Sequence, residues 1–210
     1  IQIIKKLSDY FVADQPSLLR FFLPRALLNK GVTHQLEAKP IKKRSRAHPK
    51  IYVYQAPRPE RFRYYRRLIR ESLNRSRSVA ILLPTAGLAR SAYEDIKTGI
   101  EGRTLLFHSE LKTKEIIKKP IVLVGTALIL PFLPHNIAAL IVDEESSEYY
   151  YNSLRRPFFD VHRAAELLAE KMDLNLILGD VILRLDLRTK NYITPPGRLF
   201  SPAESKIVAA

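Results

Sequence analysis

Residues 138–146 read Ala-Ala-Leu-Ile-Val-Asp-Glu-Glu-Ser, a run of five apolar residues that ends in three consecutive acids. A continuous apolar run of this length is typical of a strand covered on both faces, as in a parallel sheet. Ligands of open α/β sheets bind beyond the carboxyl ends of the strands, so acids at such an end can meet a nucleotide and its metal ion. Acids also end strands simply because the chain is leaving the core. The stretch alone therefore predicts a buried strand and leaves the role of its acids open.

Strands and helices alternate on both sides of this stretch. Short apolar runs predict strands at residues 51–54, 79–83, 104–108, 121–124, 138–142 and 174–178. Helical spacing of apolar residues predicts helices at residues 60–74, 88–98 and 159–172, with a weaker helical turn at 111–118. This alternation predicts an α/β domain with a parallel sheet, because parallel strands need crossover connections that are usually helices.

The regions that flank the alternating part predict three further segments. Residues 1–30 predict a small helical segment in two pieces, and residues 183–210, with three prolines, predict a tail or an exit toward another domain. The pattern disappears over residues 31–50, which predict a basic linker. Its main charges are Lys42, Lys43, Arg44 and Arg46. The predicted α/β domain spans residues 51–182, and the first residue, Ile1, suggests a fragment or a trimmed N-terminus.

Positive charge is concentrated in one block of the chain. The formal net charge is +14, and between Lys39 and Arg77 fourteen lysines and arginines stand against two glutamates. Neutralising several phosphates releases counterions, so such a block favours a nucleic-acid partner. One face of the predicted helix 60–74 carries Arg63, Arg66, Arg67 and Arg70, and another face carries Phe62, Tyr65, Ile69 and Leu73. A charged face that only keeps the protein soluble is the alternative.

The composition argues against several other classes of protein. There is no Cys, so disulfides and thiolate metal sites are impossible, and the five histidines show no metal-ligand spacing. No stretch approaches the roughly 20 apolar residues of a membrane span and no signal peptide opens the chain, so we expect a cytoplasmic protein without a membrane partner. His108 and His162 lack a nucleophile and an acid at a recognisable spacing, which argues against a catalytic role.

Five collinear segments resemble one family of proteins. They are residues 79–88, 106–111, 122–132, 140–149 and 156–164. For example, residues 122–132 contain Gly-Thr-Ala-Leu-Ile-Leu-Pro-Phe where the family has Gly-Thr-Arg-Ser-Ala-Leu-Phe-x-Pro-Phe. The segments resemble the first motor lobe of the primosomal replication-restart helicases (primosomal protein N-prime) of the DEAD/DEAH-like superfamily 2, and residues 6–28 are similar to the end of that family's N-terminal DNA-binding module. The resemblance implies a RecA-like parallel sheet with helices on both faces, preceded by the small helical segment.

The same resemblance implies roles for particular residues. Asp143 and Glu144 would be the Walker B pair, in which Asp143 holds magnesium and Glu144 activates water. Gly125 and Thr126 would contact the DNA backbone, and residues 84–87 would line the same path. The implied partners are DNA, forked or single-stranded, together with primosome or single-strand-binding proteins.

The phosphate-binding loop of that family has no counterpart in this sequence. Such a loop needs Gly-x-x-x-x-Gly-Lys-Ser/Thr between the first strand and the first helix, so that backbone N–H groups face the phosphates. Here residues 55–61 read Gln-Ala-Pro-Arg-Pro-Glu-Arg. Pro57 and Pro59 have no N–H to donate, and Glu60 would place a carboxylate where an incoming anion should bind. We therefore expect no ATP binding of the usual kind and no cofactor.

Two other motifs of the family also differ here. The expected Gly-Ser-Ala-Thr is Gly-Asp-Val-Ile at residues 179–182, and the expected Asp-Glu-Glu-His ends in Ser146. These differences predict a DNA-binding but non-catalytic scaffold at replication forks. Two alternatives stay open: an ATP-dependent DNA helicase that binds ATP and magnesium unusually through Asp143 and Glu144, and a protein-interaction module that does not bind DNA.

Overall fold

The computed structural model describes residues 2–22, 50–107, 119–152, 159–184, 186–187 and 191–193. The helices in these ranges are α1 (Gln2–Phe11), α2 (Gln15–Phe22), α3 (Arg58–Asn74), α4 (Ala86–Lys97) and α5 (Val161–Met172). The strands are β1 (Ile51–Gln55), β2 (Ser78–Leu82), β3 (Thr104–Leu106), β4 (Val122–Gly125), β5 (Ile137–Asp143), β6 (Tyr151–Asn152), β7 (Phe159–Asp160), β8 (Asn175–Asp180) and β9 (Asn191–Tyr192).

Seven strands form one sheet in the order β3-β4-β2-β5-β8-β1-β9, and every neighbouring pair is parallel. The remaining strands, β6 and β7, form a short antiparallel pair. Within the large sheet β8 lies between β1 and β5, and its Gly179 is in register with both Tyr54 and Asp143. The carboxyl ends of these three strands therefore meet at one place on the sheet edge.

Each face of the sheet has its own hydrophobic core, so the prediction of helices on both faces is confirmed. Along β2, Val79 and Ile81 belong to one core while Ala80 and Leu82 belong to the other, as the two-residue period of a strand requires. The first core is covered by α3 and α4, and the second by α5, α1, α2 and the 3-10 helix Ala127–Phe132. The apolar face predicted for α3 is buried, with Phe62, Tyr65, Ile69 and Leu73 at most 4% exposed.

Local chemistry at the helix starts explains where the helices begin. Thr85 caps α4 by accepting a hydrogen bond from the Leu88 N–H at 3.2 Å. Asp160 caps α5 in the same way, accepting from the His162 N–H at 2.8 Å. The first turn of α3 contains Pro59, which is tolerated because the first helical N–H groups have no partner within the helix.

Several predicted boundaries need correction. The helix predicted to start at residue 159 starts at Val161, because residues 159–160 pair with β6 and Asp160 then caps the helix. The strand predicted over residues 104–108 ends at Leu106. Described residues of the predicted tail join the domain, since Leu187 is buried and β9 pairs with β1.

The predicted N-terminal helices are present as α1 and α2, and α2 begins at Gln15 rather than at residue 17. They pack on the α/β domain, because Leu7 and Leu18 are buried in the same core as Ala165 and the Phe11 ring lies 5.1 Å from that of Phe159. The linker at residues 31–49, the helical turn at 111–118 and His108 lie outside the described residues. Among the described helices, none has the length and apolar character that crossing a membrane demands.

Candidate functional site

The predicted Walker B acids lie at the carboxyl edge of the sheet, directly below the start of α3. Asp143 ends β5 and is 1% exposed. The chain leaves β1 at Gln55 and enters α3 at Arg58, and Arg61 at the start of this helix contacts Asp143 at the end of β5. Arg61 lies four residues before Tyr65 and therefore on the same buried helix face. This spacing places the guanidinium of Arg61 in the protein interior, next to Asp143 and Glu144.

The guanidinium of Arg61 is fully buried and binds both predicted Walker B acids. Its Nε donates to Asp143 Oδ1 at 2.8 Å, and its Nη2 lies 3.3 Å from Asp143 Oδ2 and 2.8 Å from Glu144 Oε1. Its Nη1 donates to the carbonyl oxygen of Ala56 at 2.8 Å. One arginine thus bonds both acids and also the segment after β1, where the family has its phosphate-binding loop. We call Arg61, Asp143 and Glu144 the arginine latch.

Tyr65 completes the surroundings of Asp143. Its hydroxyl donates to Asp143 Oδ1 at 2.8 Å, so this oxygen accepts from two groups. Burial, and then the negative charge of Asp143, raise the pKa of Tyr65 well above its ordinary value, which keeps the hydroxyl a donor. Burial also opposes the charge on Arg61, but the hydrogen bond and charge of Asp143 outweigh burial and raise the arginine's pKa. The latch therefore contains a permanently charged guanidinium.

The pKa of Asp143 itself is raised, because burial outweighs the hydrogen bonds and charge of Arg61 and Tyr65 that lower it. The Asp143 carboxylate therefore depends on its partners to stay charged. Glu144 is more open, with a side chain 33% exposed, and its backbone φ of 55° lies in the left-handed region. A left-handed glutamate is uncommon and carries a conformational cost. The ion pair with Arg61 offsets that cost.

A second buried acid lies beside the latch. Glu145 is 0% exposed and contacts the guanidinium of Arg184, while its carbonyl oxygen lies 2.8 Å from His162 Nε2. The other ring nitrogen of His162, Nδ1, lies 2.9 Å from Asp160 Oδ1. Burial raises the pKa of Glu145 against the opposing charges of Arg184 and His162. His162 thus holds the loop after β5 to the start of α5.

Two residues that differ from the family contact each other: Ser146, which follows β5, and Asp180, which ends β8. The Asp180 carboxylate accepts hydrogen bonds from the Ser146 N–H at 2.8 Å and from the Ser146 hydroxyl at 2.7 Å. It also accepts from the Val181 N–H at 2.6 Å, and the Asp180 carbonyl oxygen accepts from the Ala56 N–H at 3.0 Å. Asp180 therefore joins the ends of β1, β5 and β8 by hydrogen bonds.

The chemistry available at this edge follows from these contacts. A magnesium ion bound to nucleotide would need a carboxylate oxygen of Asp143, and both oxygens face Arg61. Among the described residues, no group of three or more His, Asp or Glu side chains is placed to hold a metal ion. All three nitrogens of the Arg61 guanidinium already donate to Asp143, Glu144 or the Ala56 carbonyl, so they are engaged within the protein rather than directed at a phosphate. The arrangement suits structural closure of the site.

The residues predicted to contact the DNA backbone lie at the ends of β2 and β4. Gly125 is buried, and a Cβ at this position would approach Ile129 Cγ2 to 2.4 Å, so close packing explains this glycine. Thr126 is half-buried and precedes the 3-10 helix Ala127–Phe132. Gly87 faces open space in the first turn of α4. A DNA contact by Gly125 or Thr126 stays a prediction.

The predicted arginine face of α3 is mostly exposed. Arg63, Arg67 and Arg70 are exposed, whereas Arg66 is half-buried and its Nη1 lies 3.4 Å from the carbonyl oxygen of Asp95. Arg67 Nε also pairs with Glu71 Oε1 at 2.9 Å, with the arginine side chain 77% exposed. Lys42, Lys43, Arg44 and Arg46 lie outside the described residues.

Sequence reasoning missed Arg61, Tyr65 and Arg184 as partners of the acids. One signal was available for Arg61, since its four-residue spacing from Tyr65 puts it on the apolar face of the predicted helix. A buried arginine needs a buried acid, and the nearest candidates were the acids after residue 142. For Arg184 no comparable signal exists, because it lies in an irregular segment after β8.

Known proteins resemble this chain in sequence and in fold. No protein-family model matches the chain. The chain is similar to the replication restart protein PriA of Helicobacter pylori (strain J99), with 22% identity over 96% of this chain, and it spans 36% of that relative's length.

Two solved structures share the fold. One is S. cerevisiae Dbp5 L327V bound to Gle1 H337R and IP6, with a TM-score of 0.53, 15% identity and coverage of 69% of this chain and 42% of the other. The second is a DEAD box protein from Methanococcus jannaschii, with a TM-score of 0.50, 17% identity and coverage of 70% and 45%. The chain has the RecA-like fold of a helicase lobe. Both the predicted fold and the resemblance to replication-restart proteins are confirmed.

Proposed function

We propose that this chain is a DNA-binding, replication-restart helicase-like lobe in which the arginine latch closes the nucleotide site, so that it acts as a non-catalytic scaffold at replication forks. The observation that carries the proposal is the burial of Arg61 against both Asp143 and Glu144. Similarity to the replication restart protein PriA supports the proposed role at replication forks. The proposal requires no cofactor, and ATP with magnesium enters only under the helicase alternative.

The latch opposes nucleotide binding energetically as well as sterically. Magnesium could reach Asp143 only after Arg61 had left, and the guanidinium would lose its bonds to two acids and to Ala56. Breaking a buried ion pair costs about 3–5 kcal/mol, which corresponds to a loss of roughly 100-fold or more in affinity. The loop that would repay this cost with phosphate contacts contains Pro57 and Pro59 instead of backbone donors.

Titration calorimetry with ATP and magnesium tests the closed site. We expect no binding to the wild-type chain and no ATP hydrolysis, and Arg67→Ala serves as a control that removes a surface arginine of the same helix. Nucleotide binding to the wild type that Asp143→Asn abolishes would contradict the proposal and favour the helicase alternative. Measuring Arg61→Ala in parallel shows whether the arginine is what blocks the site.

DNA binding is proposed to use the exposed arginines of α3. Arg63, Arg67 and Arg70 repeat along one face of the helix, and a basic linker precedes it in the sequence. Their guanidinium groups can neutralise successive phosphates, and each contact adds about 0.9 to the slope of log affinity against log salt on duplex DNA. The face carries a small opposing charge from Glu71, which is paired with Arg67.

Binding to a forked DNA at several salt concentrations tests this part of the proposal. Charge reversal at Arg63, Arg67 and Arg70 together should weaken binding and flatten the salt slope by about 2–3. Reversal of Arg103, a basic residue outside α3, is the matched control. Forked-DNA affinity that the triple reversal leaves unchanged would favour a protein-interaction module without DNA binding.

A further inference from the structure

We propose that the side of α3 next to its arginine face holds a stacking site for one base of single-stranded DNA, with Tyr64 as the aromatic platform. This inference rests on the proposed DNA-binding function and names the form of nucleic acid that α3 takes. The site consists of Tyr64, Arg67, Leu68 and Glu71, which line a cavity of about 230 Å³. We call it the Tyr64 groove.

The Tyr64 groove is formed by one continuous strip of α3. Its four residues follow the spacing i, i+3, i+4 and i+7, so they lie in a row along the helix. The cavity is smaller than the roughly 300–1,000 Å³ of pockets that enclose drug-sized ligands. Its size suits a single flat ring entering from solvent.

Tyr64 is held in place as a rigid platform. Its ring packs 4.9 Å from the ring of Tyr54 on β1, at an interplanar angle of 56°. The residue remains half-buried and lines the cavity, so part of Tyr64 stays accessible. A pre-positioned aromatic ring loses little conformational entropy when a base stacks on it, which favours binding.

The charges around the Tyr64 groove fit a nucleotide strand. The guanidinium of Arg67 is 77% exposed at the groove, and Arg63 and Arg70 are exposed one turn to either side. These arginines can hold phosphates outside the cavity. Inside it, Glu71 repels phosphate but can accept a hydrogen bond from the amino group of a base. The groove is therefore matched to a base whose phosphates lie on the neighbouring arginines.

Stacking on Tyr64 requires an unpaired base, because the faces of paired bases are covered by their neighbours in a duplex.

The carboxylate of Glu71 gives the groove a base preference. Cytosine carries an exocyclic amino group that can donate to Glu71, whereas thymine has a carbonyl oxygen at the same ring position and keeps only its ring N3–H as a donor. We therefore expect the groove to favour single-stranded oligo-dC over oligo-dT.

Fluorescence anisotropy of the full chain with labelled DNA tests the site. The probe is single-stranded oligo-dC of about 16 nucleotides, which is the upper range of single-strand site sizes. Oligo-dT and a duplex of equal length are measured alongside it. Tyr64→Leu keeps apolar bulk but removes the ring, and should weaken oligo-dC binding about fivefold or more, since base stacking contributes about 1–3 kcal/mol. Tyr64→Phe keeps the ring and should bind like the wild type. Duplex affinity should be the same for all three proteins.

The outcomes separate this inference from the proposed function. If Tyr64→Leu binds oligo-dC as tightly as Tyr64→Phe, while the charge reversal at Arg63, Arg67 and Arg70 still weakens binding, the stacking site is wrong and DNA binding stands. Equal affinity of the wild type for oligo-dC and oligo-dT would overturn the role of Glu71. If the charge reversals change no DNA affinity at all, the proposed DNA binding by α3 is wrong, whatever the result for Tyr64. Circular dichroism of each variant shows whether it is folded.

Discussion

At the scale of single residues, the arginine latch is a buried ion pair of Arg61 with Asp143 that extends to Glu144. A buried ion pair contributes little net stability over an apolar pair, but removing one partner leaves a buried charge uncompensated. We expect Arg61→Ala to lower the free energy of unfolding by about 3–5 kcal/mol, measured by urea denaturation. Arg67→Ala, which removes the exposed pair with Glu71, should change it by only about 0.2–1 kcal/mol.

The coupling between the two buried partners provides a stricter test. Arg61→Met combined with Asp143→Leu removes both charges, so the double variant should be clearly more stable than the sum of the single effects predicts. Strict additivity in the urea experiment would show that Arg61 and Asp143 do not depend on each other. That result would contradict the geometry of the latch.

Ser146 and Asp180 show what a motif comparison cannot reveal at this scale. Compared with the family, they are two separate losses in the sequence, 34 positions apart. In the fold they form one contact, with the Ser146 hydroxyl 2.7 Å from the Asp180 carboxylate. The sequence identified the positions that differ, but the partnership depends on β5 and β8 being neighbours in the sheet, which strand order along the chain does not specify.

At the scale of elements, Gly179 determines how closely α3 lies to the sheet. A Cβ on this residue of β8 would lie 1.9 Å from the Tyr65 hydroxyl oxygen and 3.3 Å from Asp143 Oδ1. Gly179→Ala should therefore destabilise the fold by about 1–3 kcal/mol through overpacking, measured by thermal or urea unfolding. Adding Tyr65→Phe, which removes the clashing atom, should recover part of the loss. A double variant less stable than either single variant would contradict this account.

The start of α5 gives a prediction about pH. Burial alone would raise the pKa of Asp160, but the hydrogen bonds and charge of His162 outweigh it and lower this pKa below the ordinary 3.8. A lowered folded-state pKa contributes stability above the unfolded value, and this contribution is lost as the pH falls through the folded value. Asp160→Asn keeps a capping oxygen without the charge, so it should cost about 0.5–1 kcal/mol near neutral pH.

Urea unfolding of wild type and Asp160→Asn at several pH values checks the sign of this effect. The stability difference between the two proteins should be greatest above the ordinary aspartate pKa and should shrink as the pH falls below it. A difference that stays constant, or grows, under acid conditions would show that the charge of Asp160 does not stabilise α5.

Elements with a clear period were predictable, and elements without one were not. The strand at residues 138–142 was recognised from its continuous apolar run and the helix at 60–74 from the helical spacing of its apolar residues, and both are present as β5 and α3. Strand β9 has two residues and no pattern of its own, so only its pairing with β1 defines it. The latch was missed for a related reason: helical spacing shows that Arg61 is buried, but its partners depend on tertiary packing.

At the scale of the whole molecule, the N-terminal helices and the α/β domain share one core. Leu18 of α2 is 0% exposed in the core that also holds Ala165 of α5, and Arg163 lies over the Tyr10 ring at 4.8 Å. A segment predicted as the end of a separate DNA-binding module therefore depends on the lobe for its burial. This arrangement couples the stability of the two parts.

Leu18→Ala tests that coupling across the molecule. The substitution leaves a cavity in a closely packed core, so we expect a loss of about 2–5 kcal/mol in the free energy of unfolding. Because the core is shared, far-ultraviolet circular dichroism and tyrosine fluorescence should shift together in one transition. Val12→Ala is the matched control, since Val12 is 93% exposed in the turn between α1 and α2 and its side chain stabilises no core. The contradicting result would be two separated unfolding transitions, of which Leu18→Ala moves only the first. The helices would then fold as a unit of their own, and their burial against α5 would add nothing to the stability of the sheet.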